Sequence, residues 1–183
     1  AIDIDKICIK ETKKRVGKKV KLGFGDIEKG KYFFPKKRFD SIICLNVLEH
    51  IENAGQALSN IYNLLRPGGH FILLVPIHGF LYGSIDRSIH HFRRYKPAKL
   101  TEQLKKKKFQ ILLHRKENFL GAIAWFLAGK LFGSTTVGNF QIKVFNLIAP
   151  FVLPLEDLYE PPFGTSVLVV AKKPSIQKTQ RPR

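Results

Sequence analysis

Two neighbouring stretches decide the fold: "FDSIICLNVLEHI" (39–51) and "LLRPGGHFILLVP" (64–76). The first opens as a nearly continuous apolar run, the pattern of a strand buried on both faces, and turns polar at Asn46. Between the two runs, Ala54, Ala57, Leu58, Ile61, Leu64 and Leu65 recur at helical spacing. The Arg-Pro-Gly-Gly at 66–69 stops that helix, and "HFILLVP" (70–76) is a second buried strand. Strand, helix and strand in close succession form the unit of a parallel sheet with right-handed crossovers.

The same alternation extends outward. "AIDI" (1–4) reads as a strand end, with Asp5 capping a helix over 6–16. "KVKLGFGD" (19–26) alternates and ends in Gly-Asp. Pro97 starts a helix over 97–107, and strands follow at 109–119 and 165–173. The sequence therefore predicts an α/β protein with a mostly parallel sheet. Residues 119–162 break the pattern. They hold two short helical candidates rich in aromatic and aliphatic residues, "FLGAIAWFLAGKLFG" and "FQIKVFNLIAPFVLPL". Lys130, Lys143, Pro150 and Pro154 interrupt them, so neither offers the roughly 20 apolar residues of a bilayer span. The predicted organisation is a core over 1–118, a hydrophobic helical insertion or cap over 119–162, a last core strand over 163–173 and a disordered tail over 174–183.

With 44% hydrophobic residues among 183, the chain can bury a core. Cys8 and Cys44 sit in helical and apolar patterns, which argues for free thiols and against a disulfide framework. The net charge of +18 comes in bursts such as "PKKR" and "KKKK". It fits an anionic partner, nucleic acid or membrane, or simply solvated helix faces. No RNA-binding aromatic signature accompanies it. No Cys/His cluster has the spacing of a zinc centre, so no metal ligand is predicted.

Ligands of open α/β sheets sit beyond the carboxyl ends of the strands. Asp3, the Asp26–Ile27 pair and Asn46 stand at three successive strand ends. Each could be a helix cap taken singly; the series points to a nucleotide-like ligand.

These residues carry a resemblance. "AIDIDK", "GDIEKG", "FDSIICLNVLEHI" and "LLRPGGHFILLVP" resemble, in order and spacing, the motifs of class I S-adenosylmethionine-dependent methyltransferases. "HHFRRYKPAKLTEQLKKKKF" resembles the segment after the fifth strand in small-molecule, lipid- or glycan-associated members. The resemblance implies a Rossmann-like fold with an antiparallel last strand and S-adenosyl-L-methionine as cofactor. Asp3 would bind its ribose, with Ile4 beside the adenine; Asp26 and Ile27 would meet the adenine edge, and Asn46 the methionine portion. The family's glycine-rich loop, which follows its first strand, has no counterpart here, and methionine is absent from the chain. The sequence thus reads as a piece lacking the first strand, whose place in the family's sheet is between the strands ending at Asp3 and Asn46.

For a hydroxyl acceptor a general base is useful. His50, His91 and Tyr95 are the candidates, with His78 and His90 further possibilities. Arg93 and Arg94 would meet an anionic group of the substrate, and Trp125 would line the acceptor site. The expected acceptor is a small molecule, lipid or glycan, with a cytoplasmic protein in peripheral contact with an anionic membrane. Two rivals remain. One is methylation of RNA or another polyanion, although neither "NPPY" nor a Pro-Cys nucleophile is present. The other is a non-catalytic binding or scaffold domain of the same fold.

Overall fold

The computed structural model describes residues 1–34, 37–131, 134–136 and 138–175, with the backbone alone for 129–131, 141 and 157. Residues 176–183 of the expected tail lie outside them.

Strands form two ladders. β1 (Ile2–Asp3) pairs parallel with β2 (Gly23–Asp26), which pairs antiparallel with β3 (Lys31–Tyr32). The second ladder has the order β4-β5-β7-β6. β4 (Phe39–Leu45) runs parallel to β5 (Leu65–Pro76). β7 (Ser166–Lys172) lies antiparallel between β5 and β6 (Gln110–Glu117). The architecture is therefore the expected mixed α/β sheet with an antiparallel last strand. Among the described residues no ladder joins β1 to β4.

Local chemistry sets the elements. Asp5 caps α1 (Lys6–Val16) by accepting from the amides of Ile7 and Cys8. Asn53 caps α2 (Ala54–Leu64) through the amide of Gln56. Pro97 opens α4 (Pro97–Lys106), where its missing N–H costs nothing. Elements not read from sequence include the β3 hairpin strand and the five-residue helix α3 (Ser84–Ser88). The Arg-Pro-Gly-Gly run does end α2, but it lies inside β5 and not before it; Gly68 supplies a left-handed φ of 81° there.

The core lies on one face of the four-stranded sheet. Ile42, Phe71 and Ala171 form one cross-strand row on that face; Cys44, Leu73 and Val169 form the next. Ala57, Leu58 and Ile61 of α2 and Leu100 and Leu104 of α4 cover them. The opposite face carries the rows Ile43–Ile72–Val170 and Leu45–Leu74–Leu168. Here the expectation of a strand buried on both faces fails for β4: Ile43 is 63% exposed and Leu45 49%. Among the described residues β4 pairs only with β5, and α2 and α4 pack on the other side.

The segment after β6 is helical, as expected. Asn118, itself at φ 64°, caps α5 (Phe119–Trp125) through the Gly121 amide. A π-helical turn, Phe126–Leu131, follows. α6 (Asn139–Leu158) is longer than the sequence suggested, running through Pro150 and Pro154 for 20 residues. It is anchored by Glu156, whose two oxygens accept from the amides of Asn118 and Phe119. No helix of the described residues is long and apolar enough to cross a membrane.

Candidate functional site

A cavity of about 370 Å³ opens at the carboxyl ends of β4 and β5. Asn46, Glu49 and His50 line it together with His91, Arg94 and Trp125; Asn118, Gly121, Thr165 and Ser166 are also in its wall.

β4 ends at Leu45. Asn46 then takes a left-handed φ of 50° while its amide still donates to the Leu74 carbonyl, so the chain turns sharply out of the sheet. The 3-10 turn Leu48–His50 follows, with Leu48 and Glu49 fully buried. The segment carrying His91 is tied to this turn, because the Phe92 amide donates to the Glu49 carbonyl at 2.9 Å. His50 and His91 thereby meet edge to face, with centroids 4.6 Å apart.

The hub of the site is Asp86 of α3, a residue the sequence reading did not single out. Its Oδ1 lies 2.9 Å from His91 Nδ1 and accepts from Arg94 Nε at 2.8 Å. Its Oδ2 accepts from the Gly83 amide and, at 3.1 Å, from Trp125 Nε1. The Arg94 guanidinium also donates to the Ile77 carbonyl and stacks 4.9 Å from the Trp125 ring. Burial would push the Asp86 carboxyl up, but the His91 hydrogen bond and the Arg94 charge outweigh it and hold it at about 2. Burial, aided by the His91 charge, lowers the His50 imidazole.

Glu49 contrasts with Asp86. It is fully buried, and among the described residues neither of its oxygens has a hydrogen-bond partner. His91 Nε2 is 3.8 Å from its Oε1. Burial raises its carboxyl, with the His91 and Arg94 charges acting the other way.

The structure thus brings His50, His91, Asn46, Arg94 and Trp125 to one cavity. It separates others. Tyr95 is buried with its hydroxyl donating to the Leu48 carbonyl at 3.0 Å, and burial raises its phenol. That corrects its reading as a base beside His91: it holds the Leu48–His50 turn from behind. The two arginines also part company. Arg93 donates to the Glu52 carbonyl and lines only a second hollow, with Lys96 and Lys99, which Arg94 and Tyr95 also border. Arg94 is spent on Asp86, so it does not reach out to an anionic group of a substrate. His78 and His90, both at positive φ, lie outside the cavity wall.

Asp3 and Asp26 do stand at the carboxyl ends of β1 and β2. Asp3 Oδ1 accepts from the Asp5 amide and Asp26 Oδ1 from the Lys29 amide, leaving one oxygen of each for a ligand or, for Asp26, the Lys29 ammonium at 3.7 Å. Ile4 is 67% exposed beside Asp3. Ile27 instead packs against the core, and its carbonyl accepts from Asn60.

Residues 1–73 match a family model described as a methyltransferase domain. The ubiquinone biosynthesis O-methyltransferase of Rickettsia canadensis is 27% identical over 81 residues, 37% of this chain and 34% of that protein. Its counterpart in Rickettsia conorii is 27% identical over 88 residues, 41% of this chain and 30% of that protein. The match thus spans about a third of these relatives' length. Among solved structures, a putative methyltransferase from Bacillus halodurans superposes with a TM-score of 0.58 at 17% identity, over 96% of this chain and 82% of that one. The N-methyltransferase NodS of Bradyrhizobium japonicum, solved with S-adenosyl-L-homocysteine, gives 0.57 at 14% identity, over 95% and 65%.

Proposed function

We propose that this chain, by its fold and its residues 1–73 a member of the class I S-adenosylmethionine-dependent methyltransferase family, methylates an oxygen of a small-molecule acceptor held in the cavity beside His50 and His91. The observation that carries the reading is that cavity: Asn46, the residue expected to face the cofactor's methionine portion, shares a wall with the two imidazoles. The oxygen acceptor is favoured by the named chemistry of the Rickettsia relatives.

The residues present fit the cofactor at two points. Asp3 offers its second carboxylate oxygen to ribose hydroxyls at the end of a parallel strand, where an acidic residue serves that purpose. Exposed Ile4 offers apolar surface beside it. The bound cofactor supplies an electrophilic methyl group. This chain's share of the work is to align the acceptor with that methyl and to draw off the hydroxyl proton. The group that meets the hydroxyl is Glu49–His50–His91, with Asp86 fixing His91 in orientation.

Lipid or glycan character of the acceptor is a finer proposal. It draws on the insertion: α6 lines up Phe140, Val144, Leu147, Phe151, Leu155 and Leu158 along one exposed stripe. On this reading the protein works in the cytoplasm, at the surface of an anionic membrane that its +18 charge favours.

Calorimetry with S-adenosyl-L-methionine and the full-length protein tests the assignment. Asp3→Ala is expected to weaken binding by roughly 1.5–3 kcal/mol, the scale of a hydrogen bond to a charged group. Unchanged affinity with the fold intact removes Asp3 from the cofactor site.

A further inference from the structure

We propose that Glu49, His50 and His91 bind a first-row divalent cation of the zinc class, whose open coordination position faces the cavity. One donor atom from each residue lies within 4.8 Å of the others. Ligands about 2.0–2.1 Å from a tetrahedral ion sit roughly 3.4 Å apart. The 3.8 Å between His91 Nε2 and Glu49 Oε1 is already close to that. His50 is exposed at the mouth, so its ring can move the remaining distance.

The independent observation is Glu49 itself. Its carboxylate is fully buried and aimed into the cavity wall, with both oxygens lacking a hydrogen-bond partner among the described residues. Such groups are rarely left without a counterpart, and the nearby guanidinium of Arg94 is already bound to Asp86 and the Ile77 carbonyl. His91 is prepared in the complementary sense. Its Nδ1 faces the Asp86 carboxylate, which fixes the proton there and presents the Nε2 lone pair towards Glu49. A carboxylate behind a ligating imidazole is the usual support of a metal-bound histidine. Two imidazoles and one carboxylate suit zinc better than magnesium or calcium, and three protein ligands leave a position open to substrate.

The role of the ion rests on the oxygen-acceptor reading above. An acceptor hydroxyl at the open position would lose its proton to water more readily. Its oxygen lone pair then forms the bond to the methyl carbon, while the sulfur keeps the electron pair of the broken sulfur–carbon bond.

The test is direct metal binding, which needs no acceptor. The full-length protein is stripped with EDTA, dialysed, and titrated with Zn²⁺ by calorimetry, with elemental analysis for stoichiometry. One Zn²⁺ per chain is expected, with affinity lowered at least about 100-fold in Glu49→Gln and in His91→Gln. Zn²⁺ should raise the melting temperature of the wild type and leave that of a folded Glu49→Gln unchanged. His90→Gln, an exposed neighbour outside the cluster, should bind as the wild type does. Absence of stoichiometric Zn²⁺, or equal affinity in Glu49→Gln, overturns the site. Stoichiometric Zn²⁺ in a protein that binds no S-adenosylmethionine leaves the site standing and removes the methyl-transfer reading instead.

Discussion

Asp86 concentrates four interactions on one buried carboxylate, from the Gly83 amide, His91, Arg94 and Trp125. Asp86→Asn leaves the Arg94 charge buried without its partner, so we expect a loss of roughly 3–5 kcal/mol in urea unfolding; a loss below 1 kcal/mol would show that the network carries little. The acid limb follows the same group. Its folded carboxyl is held at about 2, below the ordinary 3.8. The stability it contributes is complete above pH 4 and is lost as pH falls towards 2. None of this was legible in the sequence. Asp86 sits in "SIDRS", an unremarkable polar run, and only the fold carries it to His91 and Trp125. Asn46, His50 and His91 were legible, because motif and strand-end logic are local. Tyr95 was misread because a phenol's role depends on what its hydroxyl faces, and that is the carbonyl of Leu48, 47 residues away.

At the scale of elements, α6 is the one whose chemistry is unspent. Its buried contributions include Ala149 and the Glu156 carboxylate that caps α5, while Phe140, Leu147, Phe151 and Leu158 are each more than 70% exposed. Replacing Phe140, Leu147 and Phe151 together by serine should abolish co-flotation of the full-length protein with anionic liposomes while its melting temperature stays within a few degrees. Equal flotation of the variant, or no flotation of the wild type, would remove α6 as a membrane-contacting surface. The sequence predicted a helical insertion, with a short candidate over 140–155 whose apolar run Pro150 and Pro154 interrupt; the helix is longer, Asn139–Leu158. A proline removes one N–H and crowds the preceding turn, a local penalty. The helix runs on past both prolines, and its C-terminal turn is held by the Glu156 bonds to the start of α5.

Across the whole molecule, the order β4-β5-β7-β6 and the single covered face were only half readable. Continuous apolar runs announce buried strands, but not which strand ends up at an edge. Among the described residues β4 does, with Ile43 and Leu45 exposed on it and no strand paired along its outer side, the combination that invites edge-to-edge association. A charge there should disfavour it. We expect Ile43→Lys to lower the light scattering of this 183-residue chain at a given concentration, with unchanged far-ultraviolet circular dichroism; scattering equal to the wild type would place the sticky surface elsewhere, on α6 first.

The chain has a single tryptophan, and the fold puts it in the cavity wall, its indole N–H on Asp86 and its ring beneath the Arg94 guanidinium. Indole emission responds to nearby charge and to water. All tryptophan fluorescence of this 183-residue chain therefore originates at the candidate site. An acceptor or an ion entering the cavity can be followed as a change in emission wavelength or intensity in unlabelled protein, and its arrival timed by stopped flow.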